Sequence, residues 1–125
     1  MVGIAVLGAG RIGKIHAANV AASKFATLVV VADPFADAAA SLADELGTQA
    51  MTDCEAAIDR ADVDAIVIGT PTHTHINLML RAVRQGKAAF GLEASKEFPV
   101  ELRAYYHLCM VESLLRQAGV EQLRM

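Results

Sequence analysis

The chain has 125 residues, the usual size of one domain, with a hydrophobic fraction of 54% and a formal net charge of −3. The negative charge and the lack of any basic tract argue against nucleic acid or an anionic membrane as a partner. The apolar stretches are far shorter than the roughly 20 residues that cross a bilayer, and no basic region precedes the apolar start, so we predict neither a spanning helix nor a signal peptide.

Along the chain, short apolar runs alternate with segments of helical periodicity. The apolar runs, typical of parallel strands buried on both faces, are 2–7, 27–32, 49–51, 64–69 and 87–92. The helical segments are 11–23, 35–46, 53–61, 73–85 and 100–118. This alternation predicts one α/β domain, residues 1–125, with a Rossmann-type doubly wound parallel sheet.

In three of the helical segments, apolar residues recur every three or four positions and so lie along one side, and this spacing predicts the helices. In the first segment these are Ile12, Ile15, Ala18 or Asn19, and Ala22. In the second they are Ala39, Leu42, Ala43 and Leu46, with Gly47 where a C-terminal cap belongs. In the segment 73–85 they are Ile76, Met79, Leu80 and Val83.

The strongest functional motif is the glycine-rich turn GAGRIG at residues 8–13, which matches G-x-G-x-x-G. It follows directly on a predicted strand and opens a predicted helix. An acid, Asp33, ends the next strand twenty residues after the third glycine. This combination is typical of dinucleotide-binding βαβ units.

Each residue of the motif has a physical task. Gly8 permits the tight turn, Gly10 lets the backbone approach a pyrophosphate, and Gly13 lets the helix pack against the sheet. The free N–H groups and the positive dipole end of the helix attract the phosphates. Asp33 is predicted to accept hydrogen bonds from the adenosine ribose and to repel the 2′-phosphate of NADP, so we predict NAD as the cofactor.

Simpler interpretations of these residues stay open at this stage. The glycine turn is also consistent with a loop that binds nothing. Asp33, followed by proline, is also consistent with a helix N-cap before Phe35, alone or together with the ribose role. Arg11 either closes over the pyrophosphate or is a solvated helix residue.

The fourth predicted strand ends in the sequence GTPTHTH, residues 69–75, at the sheet edge where ligands of open α/β sheets bind. Pro71 stiffens this exit, and Thr70 and Thr72 offer hydroxyl and backbone groups to a nicotinamide ribose. His73 is interpreted as part of a helix-capping turn. His75 lies one turn deeper, where it either reaches the cofactor or a substrate hydroxyl or serves the fold.

No metal site is predicted, because the H-x-H pair at 73 and 75 has no visible third ligand nearby. The two cysteines, Cys54 and Cys109, are far apart and form no C-x-x-C motif. We predict a reduced cytoplasmic protein in which both thiols are structural.

The segments LGAGRIGKIHAANVA, VVVADPFADAAASLADELG and VDAIVIGTPTHTHINLMLRAVRQGKA, within residues 2–90, together resemble the glucose–fructose oxidoreductase, inositol dehydrogenase and rhizopine-catabolism (Gfo/Idh/MocA) family. The inositol 2-dehydrogenase branch is the most similar. The resemblance implies a Rossmann domain, NAD, and reversible oxidation of a polyol or sugar hydroxyl to a ketone. It implies that the dinucleotide is held by Gly8, Ala9, Gly10, Arg11, Ile12 and Asp33, and that the nicotinamide half meets Thr70, Pro71, Thr72 and His75.

Two departures from the family follow the fifth strand. Glu93 stands for the glutamate of the family's Glu-Lys-Pro motif, displaced by about one position, but Ala94 replaces the lysine and Lys96 comes two residues later. The family continues with a larger C-terminal substrate domain, which we expect this chain to lack. A shifted reading frame or a truncated gene explains both, and the DNA sequence around codons 88–96 tests this hypothesis.

These departures leave the catalytic residues unassigned. We therefore expect weak cofactor binding and negligible turnover from the isolated chain, with a polyol or sugar substrate only if a substrate domain completes it. The alternatives are a non-catalytic NAD-binding module that senses redox state through a partner, and a structural remnant that binds nothing. A homo-oligomer is compatible with each.

Overall fold

The computed structural model describes residues 1–90, which contain the predicted alternation of strands and helices. The strands are Val2–Leu7 (β1), Ala26–Ala32 (β2), Gln49–Met51 (β3), Ala65–Ile68 (β4) and Ala88–Phe90 (β5). The helices are Arg11–Ala22 (α1), Ala36–Leu46 (α2), Cys54–Ile58 (α3) and His75–Arg84 (α4), the last preceded by a 3₁₀ turn, Thr72–Thr74. The predicted helix at 100–118 and the predicted site residue Glu93 lie outside the described residues.

The five strands form one parallel sheet in the order β3-β2-β1-β4-β5. β1 pairs with β2 on one side and β4 on the other, so the chain reverses its direction of winding between β1 and β4. All six residues of β1 are buried, because this central strand is covered on both faces. The predicted doubly wound parallel sheet is confirmed.

Helices cover both faces of the sheet. On one face, Ala17 of α1 and Leu42 of α2 pack with Val6 and Val31. On the other face, residues of α3 and α4 pack with the opposite side chains of the same strands, in a cluster that includes Ile58, Leu78, Leu7 and Ile66. Within residues 1–90, none of the helices has the length and hydropathy needed to cross a membrane.

In two of the helices, the side that faces the sheet is not the apolar side that the sequence predicts. α1 buries Gly13 and Ala17 and leaves Ile15 51% exposed. α4 buries Leu78 and Ala82, whereas Ile76, Leu80 and Val83 are exposed. In α1 the small inward residues let the helix approach the sheet closely, and the larger Ile15 stays outside. Only α2 follows the prediction, with Ala39, Leu42 and Ala43 buried.

Candidate functional site

A cavity of about 890 Å³ lies at the carboxyl ends of the strands, at the point between β1 and β4 where the winding reverses. Four connections line it: the glycine turn after β1, the residues after β2, the start of α3 after β3, and the turn after β4. Its lining includes six of the predicted site residues, namely Gly8, Ala9, Gly10, Asp33, Thr70 and Pro71.

Two glycines of the turn are required by the packing of the protein itself. Gly8 has a φ of +104°, a conformation that other residues rarely adopt. A Cβ atom added at Gly13 would lie 1.9 Å from the carbonyl oxygen of Gly8. This contact confirms the predicted role of Gly13 in the close approach of α1 to the sheet.

Gly10 differs from both of them. Its backbone has an ordinary extended conformation, with φ of −81° and ψ of −162°, immediately before α1. A Cβ atom placed on it would have no atom of residues 1–90 within 4 Å, apart from its chain neighbours. Packing within the described residues therefore does not explain a glycine here. The open space faces the cavity, where a side chain would obstruct a ligand at the helix N-terminus.

The carboxylate of Asp33 connects the end of β2 to the glycine turn. Its Oδ2 atom accepts a hydrogen bond of 2.7 Å from the backbone N–H of Ala9, and its Oδ1 atom accepts one of 2.8 Å from the backbone N–H of Phe35. The residue is 9% exposed and lines the cavity. Each oxygen retains acceptor capacity, because an ionised carboxylate has about four lone-pair sites.

This geometry corrects one expectation. The N-cap of α2 is Phe35 and the helix begins at Ala36, so Asp33 is not the N-cap residue, although it bonds the backbone of that residue. The backbone N–H of Ala9 donates to Asp33, and contact of Ala9 with a dinucleotide stays a prediction. The hydrogen bond spans 24 residues of sequence, so no local pattern indicates it.

Hydrogen bonds close the turn after β4. The hydroxyls of Thr70 and Thr74 are 2.6 Å apart, and the Thr74 hydroxyl donates to the carbonyl of Pro71 at 2.7 Å. The Nε2 atom of His75 lies 2.8 Å from the carbonyl oxygen of Thr70. His73 is exposed and lines the cavity, whereas His75 is buried, so the H-x-H pair does not converge.

The remaining predicted residues are Arg11, Ile12, Thr72 and His75, and Glu93 lies outside residues 1–90. Arg11 is exposed and Ile12 half-buried at the start of α1, and neither lines the cavity. Thr72 belongs to the 3₁₀ turn. Direct contact of these residues, or of His75, with a dinucleotide stays a prediction. Within residues 1–90 there is no group of three or more His, Cys, Asp or Glu side chains placed to hold a metal ion.

One wall of the cavity, formed by the start of α3, was not predicted from the sequence. Asp53 caps this helix by accepting hydrogen bonds from the backbone N–H groups of Glu55 and Ala56. Asp53, Cys54 and Glu55 all line the cavity. A capping aspartate after a short strand was visible in the sequence, but its place beside Asp33 depends on the pairing of β3 with β2.

Cys54 in this wall is predicted to react slowly with alkylating agents. Burial, and to a smaller extent the negative charges of Asp33, Asp53 and Glu55, raise the pKa of its thiol to about 11. The reactive thiolate therefore forms only as the pH approaches 11, and at pH 8 we expect alkylation roughly 100-fold slower than for a free cysteine. The measurement is the rate of iodoacetamide labelling of a Cys109→Ser variant. A rate like that of free cysteine, in folded protein, would contradict the prediction.

A parallel sheet with this strand order, a glycine turn at its switch point and a carboxylate at the end of β2 defines a Rossmann dinucleotide-binding domain. A family model described as an oxidoreductase family with an NAD-binding Rossmann fold, GFO_IDH_MocA, matches residues 2–93. The chain belongs to this family, as the resemblance in the sequence implies.

Several of the similar proteins are dehydrogenases of inositols. The chain is 46% identical over 99 residues to inositol 2-dehydrogenase of Rhizobium meliloti, covering 79% of this chain and 28% of that protein. It is 35% identical over 121 residues to scyllo-inositol 2-dehydrogenase (NAD(+)) of Bacillus subtilis, covering 90% and 35%. The chain thus spans about a third or less of the length of these relatives.

Solved structures agree with this assignment of the fold. A myo-inositol dehydrogenase from Corynebacterium glutamicum is similar with a TM-score of 0.69 and 47% identity, covering 73% of this chain and 27% of that one. A scyllo-inositol dehydrogenase from Lactobacillus casei, with bound NAD(H) and scyllo-inositol, is similar with a TM-score of 0.70 and 26% identity, covering 95% and 34%.

Proposed function

We propose that residues 1–125 form the NAD-binding domain of an oxidoreductase that acts on the CH–OH group of a cyclic polyol or sugar. The observation that carries the proposal is the open space at Gly10, at the N-terminus of α1, in the same cavity as the carboxylate of Asp33. The family model and the inositol dehydrogenases among the relatives support the class of cofactor and substrate.

The described residues fit a dinucleotide. The first backbone N–H groups of α1 have no partner within the helix, and the positive end of its dipole lies beside the space at Gly10. The diphosphate is assigned to this place. The free lone pairs of Asp33 are assigned to the ribose hydroxyls of the adenosine, and Thr70 and Pro71 to the nicotinamide half across the cavity. Bound NAD accepts a hydride; these residues bind and orient it.

The substrate side of the reaction is not assigned to residues. Glu93 is proposed to stand near the cofactor, and whether Lys96 takes the place of the family lysine is a question for mutagenesis. A cytoplasmic location and a homo-oligomeric assembly remain predictions. From the 125 residues by themselves we expect weak NAD binding and negligible turnover.

Isothermal titration of the purified chain with NAD and with NADP tests the proposal. We expect saturable binding of NAD and weaker binding of NADP. Lack of any binding heat in well-folded protein would contradict the proposal. Incubation with NAD and myo-inositol tests the expected lack of turnover: steady NADH formation overturns it and rules out a purely redox-sensing module.

Replacement of Asp33 by alanine is predicted to relax the preference for NAD. The change removes the negative charge that repels the 2′-phosphate of NADP and an acceptor for the ribose hydroxyls. We expect the ratio of the dissociation constants for NADP and NAD to fall at least tenfold, about 1.4 kcal/mol. Two backbone N–H groups also lose their acceptor, so the melting temperature should fall.

The matched control for this experiment is Asp37→Asn. Asp37 is exposed in the first turn of α2 and does not line the cavity, and its replacement removes the same charge. Its cofactor preference should equal that of the parent chain. An unchanged preference in Asp33→Ala, or an equal change in the control, would rule out a specific role for Asp33.

A further inference from the structure

His75 is a buried polar residue that does not face the cavity. It is 2% exposed and is not among the residues that line the cavity. Its Nε2 atom lies 2.8 Å from the carbonyl oxygen of Thr70, five residues earlier in the chain. Thr70 does line the cavity. Any effect of His75 on a bound molecule therefore passes through Thr70.

The partners of the ring determine its tautomer. A carbonyl oxygen only accepts hydrogen bonds, so Nε2 must carry the hydrogen and donate it to Thr70. The Nδ1 atom is buried and has no hydrogen-bond partner within residues 1–90. A ring with its hydrogen on Nδ1 would leave that donor unsatisfied and would lose the bond to Thr70, which makes it the costlier form.

The carbonyl that His75 holds lies next to the glycine turn. The residue before Thr70, Gly69, donates its N–H to the carbonyl of Leu7 at 2.6 Å, and a Cβ atom added to Gly69 would lie 3.3 Å from the Cα atom of Gly13. Beyond Thr70, hydrogen bonds connect Thr70, Pro71 and Thr74 to one another. His75 thus anchors this turn through the carbonyl of Thr70, without being part of the cavity lining.

We propose that His75 is a positioning residue for the nicotinamide half of NAD. Its Nε2–H bond holds the carbonyl of Thr70, and so fixes the position of the wall formed by Thr70 and Pro71 against the adjacent glycine turn. The inference rests on the proposed function. In it the imidazole does not contact the cofactor directly but acts through the backbone of Thr70.

The test compares His75→Leu with His75→Gln in the full chain. Leucine removes the donor, whereas the Nε2 amide of glutamine offers one at similar reach. Titration with NAD and with ADP separates the two ends of the site, because ADP has the adenosine and diphosphate but lacks the nicotinamide half. For His75→Leu we expect about tenfold weaker NAD binding with ADP binding within about twofold. His75→Gln should bind NAD within about threefold of the parent chain.

The outcomes distinguish this inference from the proposed function. A parent chain that binds neither NAD nor ADP overturns the proposed function and the inference with it. If the parent binds NAD, equal losses for NAD and ADP in His75→Leu, or no rescue by glutamine, overturn the positioning role alone. Independently of any ligand, ¹⁵N NMR of the histidine rings should show the Nε2–H tautomer for His75, and the Nδ1–H tautomer would overturn the inference.

Discussion

Replacement of Gly10 by valine is expected to abolish NAD binding while the fold stays intact. The added side chain occupies the space between the N-terminus of α1 and the cavity, where the diphosphate is assigned, and its Cβ atom has no atom of the described residues within 4 Å apart from the chain neighbours of Gly10. Valine is a poorer N-cap than glycine, so we expect a loss of stability of at most about 1 kcal/mol. The dissociation constant for NAD should rise by at least about 100-fold, equivalent to roughly 2.7 kcal/mol.

The measurement combines titration calorimetry with thermal unfolding of the same samples. Gly10→Ala is the graded control, since its single methyl group fills less of the space and should weaken binding less than valine does. A Gly10→Val chain that is folded and binds NAD as tightly as the parent would show that the diphosphate is not seated at this turn.

Replacement of Gly13 by alanine is expected to have the opposite pattern, a large loss of stability. The new methyl group would lie 1.9 Å from the carbonyl oxygen of Gly8 and 2.6 Å from its carbonyl carbon, and both are backbone atoms that cannot rotate away. Relief requires α1 to move from the sheet, at an expected cost of about 3 kcal/mol or more. The better helix propensity of alanine, about 1 kcal/mol, offsets only part of this.

Thermal or urea unfolding measures the effect, and Gly10→Ala is the matched control. The two positions are three residues apart and receive the same methyl group, but only Gly13 has backbone within contact distance. We expect the melting temperature of Gly13→Ala to fall by roughly 10 °C and that of Gly10→Ala to change by only a few degrees. Equal stability of the two variants would show that α1 does not depend on this close approach.

The elements and the cofactor edge of the site follow from local patterns. The apolar run of β1 predicts a strand covered on both faces, and the spacing of the glycines predicts the turn and the start of α1. Asp33 was identified from its distance to Gly13 in the sequence. These signals are local because strand, turn and helix propensities act over a few residues.

The faces of the helices show where local patterns are insufficient. In α4 the apolar residues Ile76 and Leu80 are exposed, whereas His75, Leu78 and Ala82 are buried. Apolar spacing describes a stripe on a helix but contains no information about the distance at which that helix packs. The depth of the sheet surface beneath α4 selects which side chains fit there.

The sequence by itself determined the alternation of strands and helices, the glycine turn, and the acid that follows β2, because each arises from residues close together in the chain. Only the tertiary structure decided that Asp33 bonds Ala9, that Cys54 and Asp53 form a wall of the cavity, and that His75 bonds the carbonyl of Thr70. Most of these contacts join segments whose proximity depends on strand order and packing depth. Both are properties of the assembled sheet, in which each strand position depends on its neighbours on either side.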